Sequence, residues 1–260
     1  MGLQNTSYVY SIILALLFAI SAGLIGSFSL MKRMLLAGDV VSHLALPGLG
    51  IALLLGINPL LGATATLMFG TVAIWDIQRQ TGLATENVIG VVFAASLAIG
   101  ACVTPKEDLV DALFGNFSPI SLLSFLAGIV AVLFITLSLF RLKHGLVMTL
   151  FSEDLAIVTG VKLDAQNLYF LFLFSLTVLV GLRFMGTLLA ASLIILPAAI
   201  ARRFTNKMGN FFYDSSLISL ACIIGGLIVT HWVFPKYGLG PITVLLASAA
   251  FMASLFSKRS

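Results

Sequence analysis

The feature that most constrains this chain is the spacing of its charges. No Asp, Glu, Lys or Arg occurs in residues 1–31, 40–75, 87–105, 112–140, 165–182, 184–201, 215–235 or 237–257. A charge at the centre of a bilayer costs ~2.5–3.5 kcal/mol on insertion scales. A spanning helix needs about 20 residues. Charge-free runs of this length, repeated along the chain, read as membrane spans. Of the 260 residues, 60% are hydrophobic and 9% charged, against about 25% charged in an ordinary soluble domain. A compact soluble fold has too much surface to hide that much apolar area. The composition therefore excludes a soluble enzyme, a disordered chain and a fibrous chain. The formal charge of +4 comes from basic residues scattered between apolar runs, which signals membrane orientation and no nucleic-acid partner.

The expected fold class is all-α, a polytopic bundle of eight or nine transmembrane helices plus a short cytoplasmic helix. Run 40–75 is too long for one helix, and Gly56-Ile57-Asn58-Pro59 breaks it. Nine helical segments follow: 8–31, 33–56, 60–76, 87–104, 119–140, 166–182, 186–201, 213–234 and 240–257. The first has no basic residue before it and too long an apolar run for a cleaved leader. The pair 166–182 and 186–201 is separated by only three residues around Arg183, so one bent or re-entrant unit, and eight spans, is the alternative. With nine segments, Lys32, Arg33, Arg79, Arg141, Lys143, Lys162, Arg202, Arg203, Lys207, Lys258 and Arg259 fall on one side. Only Lys106, Arg183 and Lys236 fall on the other. This asymmetry predicts a cytoplasmic C-terminus. The chain reads as one membrane domain, 1–260, with a cytoplasmic loop at 141–165.

Ionisable residues inside a span are functional candidates by default. Asp39 and His43 in Gly38-Asp39-Val40-Val41-Ser42-His43 are spaced i, i+4 and share a helix face. His43 lies ten residues beyond Arg33, about 15 Å along a continuous helix. Pro47, one turn on, frees a carbonyl. Three roles are open for the pair: a structural contact in which Asp39 fixes the imidazole tautomer, a proton relay, or ligands to a divalent cation. Two ligands are too few for a site, but a homodimer would bring two Asp and two His, a set that suits Zn²⁺ or Mn²⁺. No Cys lies nearby to favour Cu(I). Asp76 and Glu86 flank the turn around Arg79 and read as surface charge or as the lining of an exit path. Glu107, Asp108 and Asp111 make an acidic outer loop. His144 reads as solvated in the basic loop and His231, beside Trp232, as an interfacial anchor. Cys102 and Cys222 read as buried inert thiols. Gly90, Ala94, Ala98 and Cys102 form a stripe of small residues suited to close helix packing.

Between 141 and 165, Ser152 and the first-turn acids Glu153 and Asp154 start a helix of about two turns that Gly160 stops. Too short to span, it reads as a bare loop helix or a docking element for a cytoplasmic partner. No Gly-x-x-x-x-Gly-Lys-Ser/Thr motif occurs, so ATP, if it drives transport, binds another subunit.

Three stretches resemble the membrane permease subunits of bacterial manganese, zinc or iron ABC importers. Gly38-Asp39 through Ser42-His43 to Pro47-Gly48 is similar to the Gly-Asp-x-x-Ser-His-x-x-x-Pro-Gly signature of that family. Glu153-Asp154-Leu155-Ala156 with Gly160 is similar to its coupling helix, which sits in a cleft of the ATPase. Gly186-Thr187-Leu188-Leu189 with Pro197-Ala198 and Ala201 is similar to a late helix of the family. Asn87 beside Glu86 departs from a family position that often holds two acids. The resemblance implies a homodimeric pore in the bacterial inner membrane, two cytoplasmic ATP-binding subunits and an extracytoplasmic metal-binding protein. It also implies Asp39 and His43 as transient metal ligands, and Glu153, Asp154, Ala156 and Gly160 in ATPase coupling. No permanently bound cofactor and no catalytic residue is implied; the metal ion is cargo. A proton-coupled secondary metal transporter and an ABC permease for a metal chelate are the rival expectations.

Overall fold

The computed structural model describes residues 2–34, 37–103, 120–205, 207–232 and 238–256. Every regular element among them is helical: α1 (Gly2–Met31), α2 (Ala37–Ser42), a 3₁₀ turn (His43–Ala45), α3 (Leu46–Leu54), α4 (Pro59–Thr81), α5 (Thr85–Val103), α6 (Leu122–Phe151), α7 (Glu153–Val158), α8 (Leu163–Met185), α9 (Thr187–Phe204), α10 (Met208–Trp232) and α11 (Leu239–Phe256). The helix ends follow from local chemistry. Arg33 takes a left-handed conformation (φ 58°) and Met34 N–H returns to the Ser29 carbonyl at 2.8 Å, which closes α1. Asn58 caps α4 by accepting from Leu60 N–H, Pro59 occupies its first turn, and Gly82 ends it at φ 67°. The predicted break at 56–59 is present, with Gly56 at φ 66°.

Counting α2, the 3₁₀ turn and α3 as one, there are nine long helical segments among the described residues. Eight of the segments are long and apolar enough to cross a membrane, judged by length and composition. The remaining long helix, α9, is mostly buried and packs against α1, α8, α10 and α11. The α8–α9 pair is two helices in a tight hairpin. Gly186 makes the reversal at φ 83°, and a Cβ on Gly181 would overlap Ala190.

One end of the bundle gathers the basic residues, as the charge sorting requires. Lys32 donates to Asn167 at 2.8 Å, and Asn167 donates to Gln78 at 2.8 Å. Arg79 lies 3.6 Å from Asp164, and Arg203 donates to the Ser254 carbonyl at 3.0 Å. These contacts tie together the ends of α1, α4, α9 and α11 and the start of α8. Three expectations are corrected here. Residues 141–151 are helical, the last turns of α6, so the loop expected at 141–165 begins only at Ser152. The second segment starts at Ala37 and not at 33. Cys102 is exposed, while Cys222 is buried.

The core of the bundle depends on backbone approach. At Gly26 of α1, any Cβ would overlap the Ile194 carbonyl of α9, and Gly48 of α3 meets Gly62 of α4 backbone to backbone. Gly26→Val is expected to lower the thermal midpoint of the detergent-solubilised protein, because overpacking a close contact costs about 1–3 kcal/mol. Gly225→Ala, where the new methyl meets only Leu246 at 3.8 Å, is expected not to lower it. A wild-type midpoint for Gly26→Val would contradict this account of the α1–α9 contact.

Candidate metal centre

Asp39 and His43 lie on a segment whose helix changes type between them and Pro47. Proline has no N–H, so the His43 carbonyl cannot find a donor four residues on. It accepts instead from Leu46 N–H, three residues on, and this tightens His43–Ala45 into a 3₁₀ turn. The segment is held by its neighbours. Leu44 packs on Gly70 of α4, Gly100 of α5 sits against Leu46, and Gly38 packs on Ile194 of α9. Ser42, fully buried, donates to the Asp39 backbone carbonyl at 2.5 Å.

The structure brings the two side chains onto one face. Nε2 of His43 lies 3.8 Å from Oδ1 of Asp39, with the imidazole 16% and the carboxylate 58% exposed. That separation exceeds a hydrogen bond, so Asp39 does not fix the imidazole tautomer. Nδ1 of His43 is buried with no hydrogen-bond partner, and the ring centroid lies 5.6 Å from that of Phe93 on α5. An imidazole with no hydrogen bond to its neighbouring carboxylate, beside an acid open to the outside of the bundle, retains free donor capacity for a divalent ion. Because α2 begins at Ala37, His43 is about 9 Å along its own helix, a shorter reach than the 15 Å of an unbroken segment from Arg33.

Among the described residues, no group of three or more His, Cys, Asp and Glu comes together. Asp76 is exposed and accepts from Gln80 at 2.8 Å. Glu86 is exposed in the first turn of α5. Neither is placed with the Asp39–His43 pair. Histidine 144 lies on α6, and His231 packs edge-on against Trp232. Glu107, Asp108 and Asp111 lie outside the described residues. The small-residue stripe Gly90, Ala94, Ala98 and Cys102 is exposed along α5, and a Cβ on Gly90 would touch nothing within 4 Å. Phe93 was not legible as a neighbour of His43, since fifty positions and two helices separate them in sequence.

At the basic end, Glu153–Val158 forms the short helix α7 between α6 and α8. Gly160 stops it at φ 84°, with its N–H on the Ile157 carbonyl at 2.9 Å. Asp154 is exposed, and so is apolar Val158, at 84%. The side chains of Glu153 and Ala156 lie outside the described set.

The chain is 29% identical over 243 residues to the high-affinity zinc uptake system membrane protein ZnuB of Buchnera aphidicola, covering 91% of this chain and 92% of that protein. It is 28% identical over 264 residues to the manganese import system permease protein ScaB of Streptococcus parasanguinis, covering 98% and 92%. The solved structure of PsaBC from Streptococcus pneumoniae in complex with Fab contains a chain that superposes with a TM-score of 0.79. That chain is 26% identical, and the match covers 95% of this chain and 90% of that one. The sequence model of the ABC 3 transport family matches residues 5–258, nearly end to end, and this multi-pass membrane chain belongs to that family.

Proposed function

We propose that the chain is the permease subunit of an ATP-driven importer that moves a divalent metal ion, Mn²⁺, Zn²⁺ or Fe²⁺, into a bacterial cell. The observation that carries this reading is the Asp39–His43 pair. It is an exposed carboxylate with the imidazole Nε2 3.8 Å away in a segment whose composition otherwise excludes charge. The relatives' names, zinc uptake for one and manganese import for another, agree with a carboxylate–imidazole set that does not by itself separate these ions.

In this reading the whole of 1–260 is one permease domain in the inner membrane, with the basic end and the C-terminus cytoplasmic. Two copies meet along the exposed small-residue face of α5, which packs beside His43 through Phe93. Their paired Asp39 and His43 then make up a four-ligand set on the shared axis. An extracytoplasmic metal-binding protein delivers the ion, and two cytoplasmic ATP-binding subunits supply the energy. The helix Glu153–Val158, with its exposed Asp154, Ile157 and Val158, is the element the ATPase grips, with Glu153, Ala156 and Gly160 in its contact. ATP-driven closure shifts that helix and tilts the spans, alternating access to the ion. The site holds its ion briefly, since conduction requires release.

Asp39→Asn and His43→Ala are each expected to abolish uptake of radioactive Mn²⁺ or Zn²⁺ while the complex still assembles; wild-type uptake in both would end the ligand assignment. Glu153→Lys and Gly160→Trp are expected to reduce co-purification of the ATPase, the latter because Trp is strained at φ 84°. Unchanged co-purification in both would count against the docking role. Ala94→Cys is expected to give an oxidant-induced dimer of this chain in membranes, and the absence of any such species would argue against pairing through α5.

A further inference from the structure

The first turns of α10 and the cytoplasm-proximal part of α6 open a slot against α1 that the transport reading leaves unused. Its volume is about 520 Å³. The interior is apolar: Leu24 and Phe28 of α1, Leu139 of α6 and Phe212 of α10 line it, with the Phe28 and Phe212 rings 4.5 Å apart at their centroids. Its rim is cationic and polar, formed by Lys143 and His144 one helical turn beyond Leu139. No Asp or Glu lines it. Arg79 at this end is tied to Asp164 and Arg203 to backbone carbonyls. The described ion pairs give Lys143 no carboxylate partner, and its ammonium lies only against the Phe140 ring, 5.6 Å from the centroid.

An apolar slot opening on an uncompensated cation selects an amphiphile with a hydrocarbon tail and an anionic head. The depth is right for one held by the bilayer. Phe28 is one turn before Lys32, the first residue beyond α1, so the slot interior lies at the edge of the apolar core and the rim at headgroup level. We propose that this slot binds an anionic phospholipid, its acyl chain against Phe140, Phe212 and Tyr213 over a floor of Leu24, Phe28 and Leu139, and its phosphate between Lys143 and His144. Which leaflet supplies the lipid rests on the orientation proposed above; the chemistry of the slot does not. The bound lipid would brace α6, the helix that runs directly into the short helix at 153–158.

The test is native mass spectrometry of the full chain released from micelles holding equal amounts of phosphatidylglycerol and phosphatidylcholine. The expected result is preferential retention of phosphatidylglycerol, with that preference cut about fivefold by Lys143→Gln, the scale set by one basic residue at an anionic surface. Leu24→Trp, which fills the slot from inside, is expected to reduce retention of both lipids. Equal retention of the two lipids by the wild-type chain, or an unchanged preference in Lys143→Gln, would overturn the proposal. The thermal midpoint of each variant separates a lost site from a lost fold. A wild-type chain that takes up metal but selects neither lipid would sink this inference and leave the importer reading standing; an Asp39→Asn chain that loses uptake but keeps its preference for phosphatidylglycerol would spare the slot.

Discussion

The structure depends on how costly it is to leave a charge or an unpaired polar group in hydrocarbon. Backbone groups meet that constraint by folding into helices, which satisfy their own N–H and C=O. Side-chain hydroxyls meet it locally: Ser27 and Ser29 donate to carbonyls four residues back on α1, and Thr71 pairs with Ser175 across two helices at 2.6 Å. Charges meet it by gathering at the ends. Asp39 and His43 put ionisable groups inside a span, where that cost is highest, and that is why they point to chemistry and the buried hydroxyls do not.

Close backbone contact makes the relaxed site possible. With no hydrophobic force between helices in lipid, association comes from packing, and here glycine lets α1 touch α9 and α3 touch α4. The buried helix α9 then acts as the post around which α1, α8, α10 and α11 are arranged, and it backs the start of the second segment through Ile194 and Gly38. Pro47 adds the last element. By removing one N–H it winds the three residues from His43 more tightly, which sets the imidazole beside Phe93 and out of hydrogen-bond range of Asp39.

The number of segments and the breaks at 56–59 and 160 were legible from charge spacing and from Gly and Pro. The helix ends were not. A charge marks where the hydrocarbon stops, and a helix continues past it when the following residues still favour helix, as Arg141 to Phe151 do. The opposite error occurred at the start of the second segment, expected at 33 and found at Ala37, because the left-handed Arg33 belongs to the turn that closes α1. Cys102 looked buried because its run is apolar, but in a membrane protein an apolar face is as ready to meet lipid or a second copy as a core. At the site, the i, i+4 spacing correctly placed two side chains on one face. It could not show the 3.8 Å gap or the aromatic ring on the imidazole, since both depend on a 3₁₀ turn and on a helix far along the chain.

The central claim is that imidazole and carboxylate from two copies hold the passing ion. X-ray absorption at the zinc edge of the metal-loaded transporter tests it most directly. Two imidazole scatterers, with Zn–N at about 2.0–2.1 Å, lost when His43 is replaced by Ala, are the predicted result. A shell of oxygen alone in the wild-type protein, or an imidazole signal that survives that replacement, would contradict it.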